Sequence, residues 1–189
     1  RLTVTCLLLP AAQAVCPSRG SPMIIRDAQL ADHDEILALN EESVRFLSPL
    51  TPELLQRLHR SAAYFRVVEQ AGQVSAFLLA LREGAPYDSP NYLWFAARYP
   101  HFLYIDRIVV SIAHQGAGLG KLLYADIVGN DQARAAEMLT CEFDVDPPNE
   151  NSARFHASFG FQEVGSQCVA DGRKRVSLQS LALSGGTAN

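Results

Sequence analysis

Long hydrophobic runs are scarce in this chain, and the apolar stretch before Met23 is too short to cross a bilayer. Cysteine is sparse. Cys6, Cys16, Cys141 and Cys168 form neither a CxxC pair nor a dense framework, which argues against a disulfide scaffold and fits a reduced, cytoplasmic protein with incidental thiols. No metal-ligand spacing stands out. Basic charge is not in excess: 16 Lys and Arg against 20 Asp and Glu give a formal net charge of −4. That balance gives no reason to expect a nucleic-acid or membrane partner and fits a solvated acidic surface. Internal repeats and low-complexity tracts are also missing. What is present is ordinary globular composition, 48% hydrophobic and 19% charged over 189 residues, enough for one domain with a sizeable core.

The segment RLTVTCLLLPAAQAVCPSRGSP precedes Met23. Ala12 to Ala14 resembles a signal-peptidase site, but residues 1–22 read better as an upstream extension, with a domain over 23–183 and a tail over 184–189. Within the domain, MIIRDA is a short strand. Residues 31–47 carry a helical stripe of Ile36, Leu37 and Leu39, with Asp32 as cap. TPELLQRLHRSA is a second helix, capped by Thr51 with Pro52 at its first position. YFRVVEQ and VSAFLLALRE flank Ala71-Gly72 as a hairpin. FLYIDRIVVS is a strand, and residues 119–137 form one helix. MLTCEFDV is a strand and NSARFHASF a short helix stopped by Gly160. Two further strands pair around Asp171-Gly172.

HQGAGLGK, residues 114–121, therefore sits at a strand-to-helix junction. Such a junction offers unpaired N–H groups and the positive end of a helix dipole, which together favour an anion. Glycine removes the Cβ that would block a phosphate. A bare tight turn is the competing reading. Two phosphate motifs are excluded by spacing. A P-loop needs glycine where Gln115 stands and Ser or Thr where Leu122 stands. A dinucleotide fingerprint needs glycine where Lys121 stands, and should open the fold.

Gln115-x-x-Gly118-x-Gly120 after IVVS resembles the acetyl-coenzyme A loop of the GNAT N-acetyltransferase superfamily. NENSARFHASFGF, residues 149–161, resembles that family's later Asn to Gly-Phe motif, and the element order agrees over about 160 residues, with uncharacterised bacterial acetyltransferases closest in pattern. The resemblance implies an α/β fold: one domain with a twisted, mostly antiparallel sheet of about seven strands, one splayed parallel pair and flanking helices. It implies acetyl-CoA as cosubstrate, its pyrophosphate on backbone N–H groups of Gln115, Gly116, Ala117, Gly118, Leu119, Gly120 and Lys121. Lys121 adds a point charge or is simply solvated. Pantetheine pairs with Ile108, Val109 and Val110, a backbone N–H near Val110 stabilises the oxyanion, and Asn149 and Ser152 bond the arm.

The same resemblance raises two catalytic candidates. His156 stands where the family usually has the Tyr that protonates the leaving thiolate. It is either that acid or a positioning histidine at the core edge. Period-two alternation puts Asp106 on one face with Ile108 and Val110, where its carboxylate takes the amine's proton or else pairs with a cation such as Arg107. Glu142 and Asp144 form a second acidic pair that either attracts a cationic acceptor or is solvated at a strand edge. The aromatic-rich residues between the hairpin and FLYIDRIVVS, 86–100 above all, read as a long loop, either a lid over the acceptor together with Asn40, Glu41 and Glu42 or a packed flap. The expected activity is direct acetyl transfer to a primary amine of a small molecule or peptide. A catalytically weak acyl-CoA sensor or scaffold is the alternative. A thiol-dependent route through Cys141 is disfavoured because that side chain shares an apolar strand face with Leu139 and Phe143. The closing hairpin and the aromatic segment also fit a homodimer.

Overall fold

A computed structural model describes residues 23–44 and 47–183. The extension over 1–22 and the tail over 184–189 lie outside the described residues. Seven strands, β1 (Met23–Asp27), β2 (Tyr64–Gln70), β3 (Gln73–Arg82), β4 (Phe102–Val110), β5 (Met138–Asp146), β6 (Gln162–Val169) and β7 (Lys174–Ala182), form one sheet in the order β1-β2-β3-β4-β5-β7-β6. Neighbours are antiparallel except β4 and β5. The helices are α1 (His33–Glu42), α2 (Pro52–Ser61), α3 (Pro90–Ala96), α4 (Leu119–Gly129), α5 (Asp131–Arg134) and α6 (Glu150–Ser158).

The sheet is covered on both faces, and β3 shows why. Phe77, Leu79 and Leu81 pack with Ile36, Leu39, Leu55, Leu58, Tyr92 and Phe95 from α1, α2 and α3. The alternate residues Ala76, Leu78 and Ala80 pack with Leu119, Leu123, Tyr124 and Ile127 of α4. A strand buried on both sides reads as a continuous apolar run, as AFLLAL does. Each fully buried leucine here contributes roughly 2 kcal/mol of transfer free energy. Both hairpins turn where the sequence places them. Ala71 and Gly72 have φ of 52° and 77°, the pair of positive values that a two-residue turn matching strand twist requires.

Three local expectations are corrected. α1 ends at Glu42, and Asp32 makes no side-chain cap to it. The Asp32 carboxylate instead accepts Arg26 Nη1 and Nη2 at 2.7 and 2.8 Å and the Gln29 amide at 2.7 Å. Arg26 holds its pKa below the ordinary value. The helix expected over 119–137 is two helices. Gly129 weakens the first, and Asn130, extended at φ −79°, ψ 150°, accepts the Gln132 amide at 2.9 Å to start the second. The aromatic segment is not an open loop. Pro90 opens α3, and Tyr92 and Phe95 are buried against Phe102 and Tyr104. Short length and missing helical periodicity hid it: aromatics placed for the core outweigh propensity here.

Candidate active site

β4 and β5 are each nine residues long yet pair only through Phe102↔Met138, Leu103↔Leu139 and Tyr104↔Thr140. Beyond Tyr104 the strands part. β5 stays paired to β7 along its other edge, and β4 stays paired to β3. From Ile105 to Val110, β4 thus presents one backbone edge to a gap rather than to a strand. An unpaired edge within a sheet is a template for an extended ligand with its own amides.

The glycine junction stands at the β4 end of that gap. Gly116 and Gly118 have φ of 81° and 85°, values that a side chain strongly disfavours, and a Cβ on either would meet open space. Their role is to shape the main chain. Gly120 differs: a Cβ there would come within 3.0 Å of the Phe155 ring, so this glycine lets α4 close on α6. Gly118 is the N-cap of α4, and its side-chain-free position leaves the first helical N–H groups without a capping side chain. Gln115, Gly116, Ala117, Gly118 and Lys121 are exposed. Glu42 Oε2 accepts the Ile112 amide at 2.9 Å and ties the end of α1 to the turn that leads into the loop. The Gln115 side chain folds back, Nε2 donating to the Val110 carbonyl at 3.4 Å.

α6 brings Asn149, Ser152 and His156 together as expected. Asn149 Oδ1 caps the helix by accepting the Ser152 amide at 3.1 Å. His156 Nδ1 lies 2.8 Å from the Ser152 carbonyl and 3.2 Å from its Oγ. A carbonyl only accepts, so Nδ1 carries the proton and the neutral ring keeps its lone pair on Nε2. The ring is buried among Phe143, Tyr124, Phe155 and Phe161. Burial lowers its pKa, while the bond to Ser152 opposes the shift. At neutral pH the ring is an uncharged imidazole with an accepting nitrogen.

The strand alternation expected for Asp106 does not hold. The register slips between Leu79 and Ala80, opposite Arg107 and Ile105, leaving Asp106 as the extra residue of a bulge. Ile108 and Val110 face the α4 side, whereas Val109 is buried on the α1 side. Asp106 joins the α1 side, accepting Arg107 Nε and Tyr87 Oη, both at 2.6 Å. Both members of the ion pair are nearly sealed, at 2% and 4% side-chain exposure. Arg107 also donates to Asn40 Oδ1 at 2.7 Å, which anchors it to α1.

The second acidic pair also departs from a solvated strand edge. Asp144 is buried and bound to Lys174 Nζ at 2.7 Å. Glu142 is partly buried and held by Tyr104 Oη at 3.0 and 2.8 Å and by Asn91 Nδ2 at 2.8 Å. Desolvation pushes its pKa up to about 8, against the pull of those two donors. Asn91 is oriented in turn by Gln167, whose Nε2 donates to Asn91 Oδ1 at 2.6 Å. Asn91, Tyr104 and Gln167 escape a reading of the sequence because they meet Glu142 only through long-range contacts. A lone Glu between Cys141 and Phe143 was the available signal. Cys141 is buried, and desolvation raises its thiol well above the ordinary range, as an inert core residue requires. Among the described residues no helix is long and apolar enough to cross a membrane.

A glycine-shaped strand-to-helix turn opens onto a split parallel strand pair. Residues 31–161 match the acetyltransferase (GNAT) family, and the chain belongs to it. It is 43% identical over 51 residues to a phosphinothricin N-acetyltransferase of Streptomyces coelicolor, a match covering 27% of this chain and 29% of that relative's length. Solved structures share the fold at low identity. An N-acetyltransferase of Staphylococcus aureus Mu50 aligns over 86% of this chain and 99% of its own, at TM-score 0.65 and 21% identity. Salmonella typhimurium yncA, whose structure holds its cofactor acetyl-CoA, aligns over 89% and 98% at TM-score 0.66 and 21% identity. Ard1 of Thermoplasma volcanium aligns over 85% and 97% at TM-score 0.69 and 17% identity.

Proposed function

We propose that this protein is an N-acetyltransferase that moves the acetyl group of acetyl-CoA directly to a primary amine of a small molecule or peptide. The split between β4 and β5 carries the reading, because it gives a pantetheine arm a free strand edge and leads it from the glycine seat to buried carboxylates. Backbone N–H groups between Gln115 and Lys121 hold the diphosphate. The edge of Ile108, Val109 and Val110 pairs with the arm's amides, and a strand N–H there takes the charge that develops on the thioester oxygen. Asn149 caps α6 through Oδ1 and keeps Nδ2 for the arm. Ser152 is turned towards His156, so its part is to fix that ring.

Asp106 and His156 fill positioning roles in this reading. A salt-bridged carboxylate sealed beside Arg107 is a weak base, since protonating it strands a buried cation. A neutral His156 with its proton on Nδ1 has none to give from Nε2. The buried neutral ring also favours the second reading, an acyl-CoA sensor that binds without turnover. Calorimetry with acetyl-CoA, followed by thiol release across an amine panel, separates them. Binding with release establishes the transferase, binding without release the sensor, and no heat on a folded sample removes both.

A further inference from the structure

The segment between β3 and β4 lies where an acceptor has to arrive. α4 and α6 pack over one face of the β4–β5 fork, so an amine meets a thioester held there from the α1 side. On that side Tyr87 Oη donates to Asp106 at 2.6 Å and Asn91 Nδ2 to Glu142 at 2.8 Å. The segment thus touches both strands of the fork.

Three contacts hold α3 in place. Tyr92 is buried, and its Oη donates to the Arg82 carbonyl and accepts the Ala85 amide, both at 2.8 Å. Asn91 Oδ1 accepts Gln167 Nε2 of β6 at 2.6 Å. The third contact is steric. The Trp94 ring lies so close on Gly165 of β6 that a Cβ there would stand 2.5 Å from Cζ2. Gly165 is not among the glycines with positive φ, so its backbone would accept a side chain and the ring is what keeps one out. The Arg98 guanidinium lies over the same ring, 3.9 Å from its centre, and adds a cation–π contact.

We infer that α3, wedged by Trp94 against Gly165, is a fixed wall of the acceptor cleft that admits a small amine and shuts out an extended peptide. This names the acceptor class within the transferase reading above and rests on it. A peptide whose terminal amine reaches the fork lays its next residues across the sheet. Beyond β5 that face carries Val176 and Leu178 of β7 and Val164 and Val169 of β6, and the aromatics of the segment pack on them. Towards β3 the face is covered by α1 and α2 through Leu39, Leu55 and Leu58. An extended chain advances about 3.3 Å per residue and neighbouring strands lie about 4.8 Å apart, so a peptide collides with α3 within its first few residues. A small amine needs only the fork.

The test presents one amine in two sizes to the full chain with acetyl-CoA: a small panel amine that the protein acetylates, and a decapeptide ending in the same amine. Thiol release is the readout. Wild type gives a kcat/KM about 10²-fold lower for the decapeptide. Trp94→Ala removes the wedge and raises the ratio of peptide to small-amine kcat/KM by about tenfold, chiefly through the peptide's KM. Gly165→Ala drives the ring and α3 outwards and shifts the ratio in the same direction. In the double variant the added methyl meets no ring, so its ratio equals that of Trp94→Ala alone. A cooperative melting transition reports that a variant is folded. A wild-type protein that takes the decapeptide as well as the small amine overturns the wall, while the transferase reading stands. Folded single variants with wild-type selectivity, or a double variant whose effects add, overturn the assignment to the Trp94–Gly165 contact. Binding of acetyl-CoA with no thiol release from any amine overturns the transferase reading, and the wall with it.

Discussion

The two ends of the β4–β5 gap are built by opposite means. The glycine end is local: eight consecutive residues set the loop, and two positive φ values shape its backbone. The carboxylate end is assembled from far along the chain. Asn40, Tyr87, Asn91, Tyr104, Glu142 and Gln167 come from α1, the segment before α3, α3, β4, β5 and β6 and meet only through side chains. A main-chain seat tolerates most substitutions except at its glycines. A side-chain network fails when one partner is removed, so the two ends break differently.

The largest effect is expected at Arg107. Its guanidinium neutralises Asp106 in a nearly sealed site, so Arg107→Ala leaves a buried carboxylate without its cation. Breaking one half of a buried pair costs about 3–5 kcal/mol. Denaturant unfolding of Arg107→Ala checks this. Adding Asp106→Asn to that variant should recover much of the loss, because the stranded charge disappears. A loss below about 1 kcal/mol would mean water reaches the pair and solvates it.

The same division decides what was legible in the sequence. The cap at Thr51 and both hairpins are short-range, and the structure places them where the pattern did. The seven-stranded sheet with its splayed pair followed from the resemblance of two motifs. The bulge at Asp106 was not legible, because one extra residue in a strand leaves no mark in composition, yet it changes which face every later side chain takes. α3 was missed because aromatics chosen to fill the core mask a seven-residue helix. Glu142 was visible as a lone acid on an apolar strand. What makes it different from Asp144 is the identity of its partners, neutral donors rather than a lysine, and that is a tertiary fact.

A second, smaller effect sharpens the contrast between the acids. The folded pKa of Glu142 is raised to about 8, so the folded state binds its proton more tightly than the unfolded chain does. The stability this contributes is fully present below the ordinary Glu value and is lost as pH rises through about 8. Glu142→Gln removes that dependence. Its melting temperature relative to wild type should therefore climb between pH 5 and pH 9. The gain is on the order of 2 kcal/mol after allowance for solvent in the gap. A difference that stays flat over this range would place Glu142 in water, with an ordinary acidity.

The smallest effects belong to the glycine seat, where two substitutions of the same size should act by different routes. Gly118→Ala meets no atom but must hold φ near 85°, which costs about 1 kcal/mol and tilts the amides that open α4. Acetyl-CoA affinity should fall about fivefold with only a small change in melting temperature, since a strained loop can relax when no ligand holds it. Gly120→Ala keeps a helical backbone but drives a Cβ to 3.0 Å from the Phe155 ring, so α4 and α6 must move apart by a few tenths of an ångström. That variant should lose melting temperature first. Phe155→Leu in the same chain should restore it, because the flat ring edge is replaced by a side chain that can turn away. Rescue of Gly118→Ala by Phe155→Leu would show that the loop and the helix contact are one unit, and the distinction between a seat shaped by φ and one shaped by packing would collapse.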